Sequence, residues 1–174
     1  MGCDIHLVIE YEKYDWGFVD AFTEGEVHIA RDYDLVSAIA FGDGGITDDL
    51  PYPPRGIPTN CSYNVKNLFF TTAGEFKQFL IETGQAEEVY KPEEIAKSWG
   101  DWALKEYLER GSLPAAEVHT PSWLNLRELK EALGHAGLEI TKQSPEFQAV
   151  IAAMQVLADH YGPEKVRIVF WFDG

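Results

Sequence analysis

Two stretches of the chain alternate between apolar and polar positions with a period of two. In residues 3–12, Cys3, Ile5, Leu7, Ile9 and Tyr11 fall on one side and Asp4, His6, Val8, Glu10 and Glu12 on the other, the repeat of a strand with one buried face. Residues 166–172 repeat the pattern, with Val166, Ile168, Phe170 and Phe172 facing one way and Arg167, Val169, Trp171 and Asp173 the other. The two segments are suited to pairing in one sheet. Residues 14–19 read as a turn and a short returning strand, 27–30 as a further strand, and 32–40 as a short helix.

From residue 41 to about 64, glycine, proline and aspartate interrupt every periodicity, as in Pro51-Tyr52-Pro53-Pro54-Arg55-Gly56-Ile57-Pro58. The segment is too long for a mere connector, and such loops in compact domains often carry function. Helical spacing returns in 73–83, where Phe76, Phe79 and Leu80 share a face. Pro92 then opens a longer helix bearing Ile95, Trp99, Trp102, Leu104, Tyr107 and Leu108. After a break at 111–114, residues 119–124 lead into a helix over 126–135 ended by Gly137, and Ser144-Pro145 caps a helix over 146–161 closed by Gly162. The pattern predicts a single α+β domain over 1–174. It has a small, mainly antiparallel sheet holding the first and last strands, about four packed helices and a long functional loop. No repeat, linker or low-complexity segment marks a second domain.

Composition narrows the function classes. A chain of 174 residues has the size of one domain with a self-sufficient core. Its 45% hydrophobic content, with 13% aromatic, excludes disorder. Cys3 and Cys61 lie far apart with no metal-binding spacing, which argues against a disulfide framework or zinc ribbon and for a reducing compartment. No apolar window approaches the ~20 residues of a membrane span, and no signal peptide opens the chain. The expectation is a cytoplasmic protein with no membrane partner. Met1-Gly2-Cys3 is not read as an acylation signal, because the alternation carries it into the sheet.

The formal net charge is −15, from 29 acidic and 14 basic residues, and no stripe of lysine and arginine appears. Extended nucleic acid is therefore a poor partner. A small anion is a different matter, because one or two arginines in a pocket can hold a phosphate against an unfavourable overall field.

Three sets of residues carry candidate chemistry. Asp4 and His6 share a strand face, where a carboxylate and an imidazole two residues apart reach one metal ion or one phosphodiester; Glu10 lies further along that face. An outer strand face is polar for solvation alone, so a third ligand must come from elsewhere. His119 is the natural partner as acid, base or metal ligand, with Thr120 and Ser122 beside it. Its surroundings lack the paired His-x-Ser/Thr elements of two-histidine phosphoesterases, and that assignment is rejected. Arg31 and Arg55 flank the long loop and can grip an anion, or can pair with local carboxylates. Tyr33, Tyr52, Tyr63 and Trp123 are candidates for stacking a base, although aromatics in a small domain are more often core. Cys3 reads as a buried small hydrophobe.

Met1-Gly2-Cys3-Asp4-Ile5-His6, Arg31-Asp32-Tyr33-Asp34-Leu35, Pro54-Arg55-Gly56-Ile57-Pro58 and His119-Thr120-Pro121-Ser122-Trp123-Leu124 together resemble a family of uncharacterised bacteriophage and prophage proteins. Asp32, Val36, Ile57 and Thr120 depart mildly from the family's usual residues. The resemblance implies a phage setting and an infected bacterial host cell, and names no reaction.

The expected function is a phage accessory protein that binds a nucleotide-like phosphodiester such as a cyclic-nucleotide immune signal of the host, with phosphodiesterase-type cleavage favoured over binding alone. Asp4, His6 and His119 are the expected catalytic residues, and Arg31, Arg55, Tyr33, Ser122 and Trp123 the expected ligand contacts. A divalent metal held by Asp4 and His6 is the cofactor open to this set. Two alternatives stand beside it: a non-catalytic sponge with a closed, homo-oligomeric pocket, and an acidic inhibitor that docks on a host protein. The pocket readings require Asp4, His6, Arg31, Arg55 and His119 to converge in one cleft.

Overall fold

A computed structural model describes residues 4–23, 25–42, 47–72, 92–110, 112–114 and 118–173. The alternating segments are strands. β1 (Asp4–Glu12) lies centrally and pairs antiparallel, from Asp4 to Tyr11, with β7 (Val166–Asp173). The other edge of β1 takes β3 (Glu26–Ile29) beside residues 5–8 and β2 (Phe18–Asp20) beside residues 10–12. β6 (Val118–Asn125) closes the far side of β7, completing a five-stranded antiparallel sheet. A separate two-stranded sheet joins β4 (Phe70–Thr72) to β5 (Ser112–Pro114).

Segment 119–124 is thus a strand rather than a helix entry. Its alternation is hidden by a bulge between His119 and Ser122, where Thr120 takes a φ of +49° and Pro121 has no N–H to offer. The helix over 32–40 begins as α1 (Tyr33–Val36), capped by the Asp32 carboxylate on Leu35 N, and continues as a π-helical turn over Ser37–Phe41. The long helix after Pro92 is two helices, α3 (Pro92–Trp99) and α4 (Asp101–Arg110). Gly100 divides them with a φ of +89°, a conformation that ends a helix. Leu108 faces solvent instead of a core. The expected helix over 73–83 lies outside the described residues, as does Cys3.

α5 (Leu126–His135) starts with a capping box between Asn125 and Glu128, and α6 (Pro145–Tyr161) starts from Ser144 and stops at Gly162. Both cover one face of the sheet. There Ile5, Leu7, Ile9, Ile168, Phe170 and Phe172 pack against Leu129, Leu133, Phe147, Val150 and Met154.

The other face, expected to meet solvent, is buried too. Val8, Val169 and Trp171 pack under Ile57, Cys61, Val65 and Phe69. The last part of the long loop and α2 (Tyr63–Phe69) therefore serve as a second layer over the sheet, and Ile57 and Cys61 are core. At the end of the sheet where β1 begins, Asp4 and His6 are only partly buried.

Candidate functional site

His6 sits on β1 between Trp171 on one side and His28 on the other, its register partners in β7 and β3. Its ring lies parallel to the buried indole at 6.2 Å and 5.1 Å from the His28 ring. Side chains diagonal to one another across antiparallel strands come within reach on the same face, and this rule generates the whole cluster. Glu26 is diagonal to His6, and its Oε1 meets His6 Nδ1 at 2.6 Å. Asp173, register partner of Asp4, is diagonal to His6 on the opposite flank, with Oδ2 3.0 Å from Nε2. Asp4 is diagonal to His28, with Oδ2 3.2 Å from Nε2.

The contact between His6 Nε2 and Asp173 is a charge contact without the angles of a hydrogen bond. Nε2 is buried and makes no hydrogen bond among the described residues. Each His6 ring nitrogen thus has a carboxylate beside it, Glu26 at Nδ1 and Asp173 at Nε2.

Arg31 follows β3 directly. Its backbone N–H donates to Asp4 Oδ1 at 3.2 Å, and its exposed guanidinium stands 3.9 Å from the same oxygen. Tyr33, two residues on, is exposed. Three carboxylates, two imidazoles and one guanidinium thus collect at one end of the sheet. Asp4, His6 and Arg31 were visible from the sequence. Glu26, His28 and Asp173 were missed, although the alternation of strand 27–30 carried the signal: an antiparallel partner of β1 had to place His28 beside Asp4 or His6. Among the described residues, no group of three or more His, Cys, Asp or Glu side chains is placed to hold a metal ion.

The other expected site residues lie elsewhere. His119 is on β6 opposite Phe172, on the other face of the sheet, stacked on Phe172 at 5.9 Å and near Phe41. Its Nδ1 meets Thr120 Oγ1 at 3.1 Å. Burial pushes its pKa down, against an opposing pull from the Asp173 carboxylate. It senses the cluster's charge without joining it.

Arg55, Ser122 and Trp123 form a structural knot. The Arg55 backbone N–H donates to Ser122 Oγ at 3.1 Å, and its guanidinium lies 3.7 Å from the Trp123 ring centre. The same guanidinium donates to both oxygens of Glu128, at 3.0 and 2.7 Å, and to the Trp123 carbonyl. Its donors are directed at the chain's own acceptors rather than at a ligand. Tyr52 donates to Glu131, and Tyr63 is exposed at the start of α2.

Glu10, on the same face as Asp4 and His6, is fully buried with Arg167 at 2.8 Å and accepts from Ser62 N. It lies beneath the covering layer and outside the cluster. The single cleft containing both arginines and both His6 and His119 is not formed.

An antiparallel α+β domain with an imidazole–carboxylate cluster at one end of its sheet is the class that fold and site define. Compared with known proteins, the chain matches no family model, no curated protein and no solved structure.

Proposed function

We propose that this chain is a phage accessory protein that binds and hydrolyses a nucleotide-like phosphodiester, such as a cyclic-nucleotide immune signal of the host, at the His6–His28 end of the sheet. The observation that supports this reading is the pair of imidazoles 5.1 Å apart, His6 with a carboxylate at each ring nitrogen and His28 with one, and Arg31 held on the Asp4 carboxylate. Such a pair suits acid–base work at phosphorus. One imidazole takes a proton from the attacking water as its oxygen bonds to phosphorus, and the other gives a proton to the departing oxygen as the P–O bond breaks. Arg31 offers donors to the non-bridging oxygens, and Tyr33 offers an exposed ring to a base. The phage setting rests on the resemblance of the opening hexapeptide and its companion motifs. Asp4, His6, Arg31 and Tyr33 carry the reading; His119, Arg55, Ser122 and Trp123 do not contribute to it.

Electrostatics sets a condition. Three carboxylates against one guanidinium repel a phosphodiester unless further positive charge is present. The test is incubation of the purified protein with a panel of cyclic and linear nucleotides, with and without divalent cations, with ligand and products followed by chromatography. The expected result is new products that vanish in His6→Ala and in His28→Ala, the latter on an exposed edge position. Depletion with intact nucleotide recovered on denaturation would replace hydrolysis by sequestration. No depletion of any nucleotide would overturn the reading and favour an acidic surface that docks on a host protein.

A further inference from the structure

A cavity of about 570 Å³ opens between the π-helical turn that follows α1, the 3-10 turn at Thr47–Asp49 and the C-terminal end of α5. Pockets of roughly 300–1,000 Å³ are the size that holds a small organic molecule. None of Asp4, His6, Glu26, His28, Arg31 and Asp173 lines it, so it is a place distinct from the imidazole–carboxylate cluster.

The local sequence makes the space. In the π-helical turn an N–H reaches back five residues, as Gly42 N does to Ser37 O at 2.8 Å, and such widened turns occur frequently at functional sites. Ala38 and Gly42, which line the cavity from this turn, are buried positions held by the two smallest residue types. Larger side chains there would fill the gap between the turn and α5. Leu50 and Leu138 add further apolar surface, the first buried and the second packed against the core.

The polar part of the lining has one sign. It includes the carboxylates of Asp34 and Asp49 and no lysine or arginine. Among the described residues neither carboxylate takes a hydrogen bond or an ion pair, and neither do the Ser37 hydroxyl and the His135 ring. His135 and Ala136 end α5 and bring the negative pole of that helix to the same wall. Two exposed carboxylates alone would be an ordinary solvated surface. Set beside a buried apolar floor, they match a molecule that is cationic at one end and apolar at the other. A bare metal ion would make no use of that floor, and no group of three donors is placed to hold one among the described residues.

We propose that this cavity binds a small organic ammonium or amidinium ion with an aryl or alkyl body. Its N–H donors meet Asp34 and Asp49, and its body lies against Ala38, Leu50 and Leu138. The formal net charge of −15 acts in the same direction, raising the local concentration of cations around the molecule. The inference is independent of the phosphodiester reading, whose ligand is an anion.

The experiment is a titration of the full chain with phenethylammonium, followed through the methyl resonances of Ala38, Leu50 and Leu138, in buffer of about pH 8, above the usual range of histidine titration. The expected result is saturable shifts at these three methyls with a Kd of about 1 mM or below. 2-Phenylethanol, which keeps the body and loses the charge, should bind at least about 10-fold more weakly. Asp34→Asn and Asp49→Asn should each weaken the ammonium by about 3–10-fold. Ala136→Phe, at an exposed position on the rim, should abolish the shifts by filling the cavity while keeping every charge and the melting temperature. Asp159→Asn on α6 removes the same charge elsewhere and should change nothing. The site is overturned by shifts that do not saturate, by an alcohol that binds as well as the ammonium, or by an Asp159→Asn effect equal to that of Asp34→Asn. It is equally overturned by binding that survives Ala136→Phe together with both aspartate substitutions. None of these outcomes touches nucleotide turnover, which is read in its own assay.

Discussion

Glu10 and Arg167 show how little a polar residue type says about its role before its neighbours are known. Glu10 is on the same strand face as Asp4 and His6, yet lies wholly buried. It is bonded to Arg167 and to Ser62 N, while Asn60 takes two further donors of the guanidinium and Phe18 covers its plane. Burial pushes the Arg167 pKa down while the Glu10 carboxylate pulls it up. Breaking such a pair leaves an uncompensated buried charge, so Glu10→Leu alone should cost about 3–5 kcal/mol in urea unfolding. The double change Glu10→Leu, Arg167→Met should cost clearly less than the sum of the single changes. Cys61 makes a second case at this scale. Burial, with the Glu10 carboxylate adding to it, pushes its thiol up to about 12, so the reactive thiolate is nearly absent at neutral pH. In a Cys3→Ser background, Cys61 should resist a thiol-specific disulfide reagent in native buffer and react within minutes once urea unfolds the chain.

At the scale of elements, the junction of β6 with α5 decides what Arg55 does. The Glu128 side chain accepts from Asn125 N while Asn125 Oδ1 accepts from Glu128 N, and Arg55 binds the same carboxylate from the long loop. One carboxylate thus ends a strand, starts a helix and anchors a loop. Burial raises the Glu128 pKa, but the hydrogen bond from Arg55 and the backbone bond at Asn125 outweigh it, and the net shift is downward. A lowered acid contributes stability that is full above its unfolded value and is lost as pH falls through the folded one. Thermal melts should therefore show the wild type losing stability below about pH 4.5, the ordinary value for this group, with a flatter acid limb in Glu128→Gln. Asn125→Ala removes only the cap and should cost about 1 kcal/mol at neutral pH. Arg55→Ala should lower the melting temperature and leave nucleotide affinity unchanged. The reverse result would return Arg55 to the ligand site.

At the scale of the molecule, the sequence exposed what depends on local period and hid what depends on covering layers. The alternation of β1 and β7 and the caps of α5 and α6 were plain, because strand period and helix capping are written in adjacent residues. The second face was misread because β1 offers only Val8 within a polar run there, and although β7 adds Val169 and Trp171, nothing local says that Ile57, Cys61, Val65 and Phe69 will lie across them. The same limit applied to the site. Asp4, His6 and Arg31 could be singled out as chemistry-bearing, whereas Glu26, His28 and Asp173 joined them only through cross-strand diagonals that need the strand order. His119 failed as a partner because one sheet face separates it from His6, a distinction invisible until β6 is known to pair with β7. Among the described residues, no helix is long and apolar enough to cross a membrane.

The pairing of β1 with β7 also bears on how the protein is made. Glu10 and Arg167, bonded across the two strands, are 157 residues apart in sequence. On a ribosome adding roughly 5–20 residues per second, β1 emerges first and waits many seconds for the strand that completes it. Until then its apolar row, Ile5, Leu7 and Ile9, has no β7 edge beside it. Ribosome-bound chains truncated before residue 166 should accordingly be cut by protease within β1, and full-length released chains should be protected there.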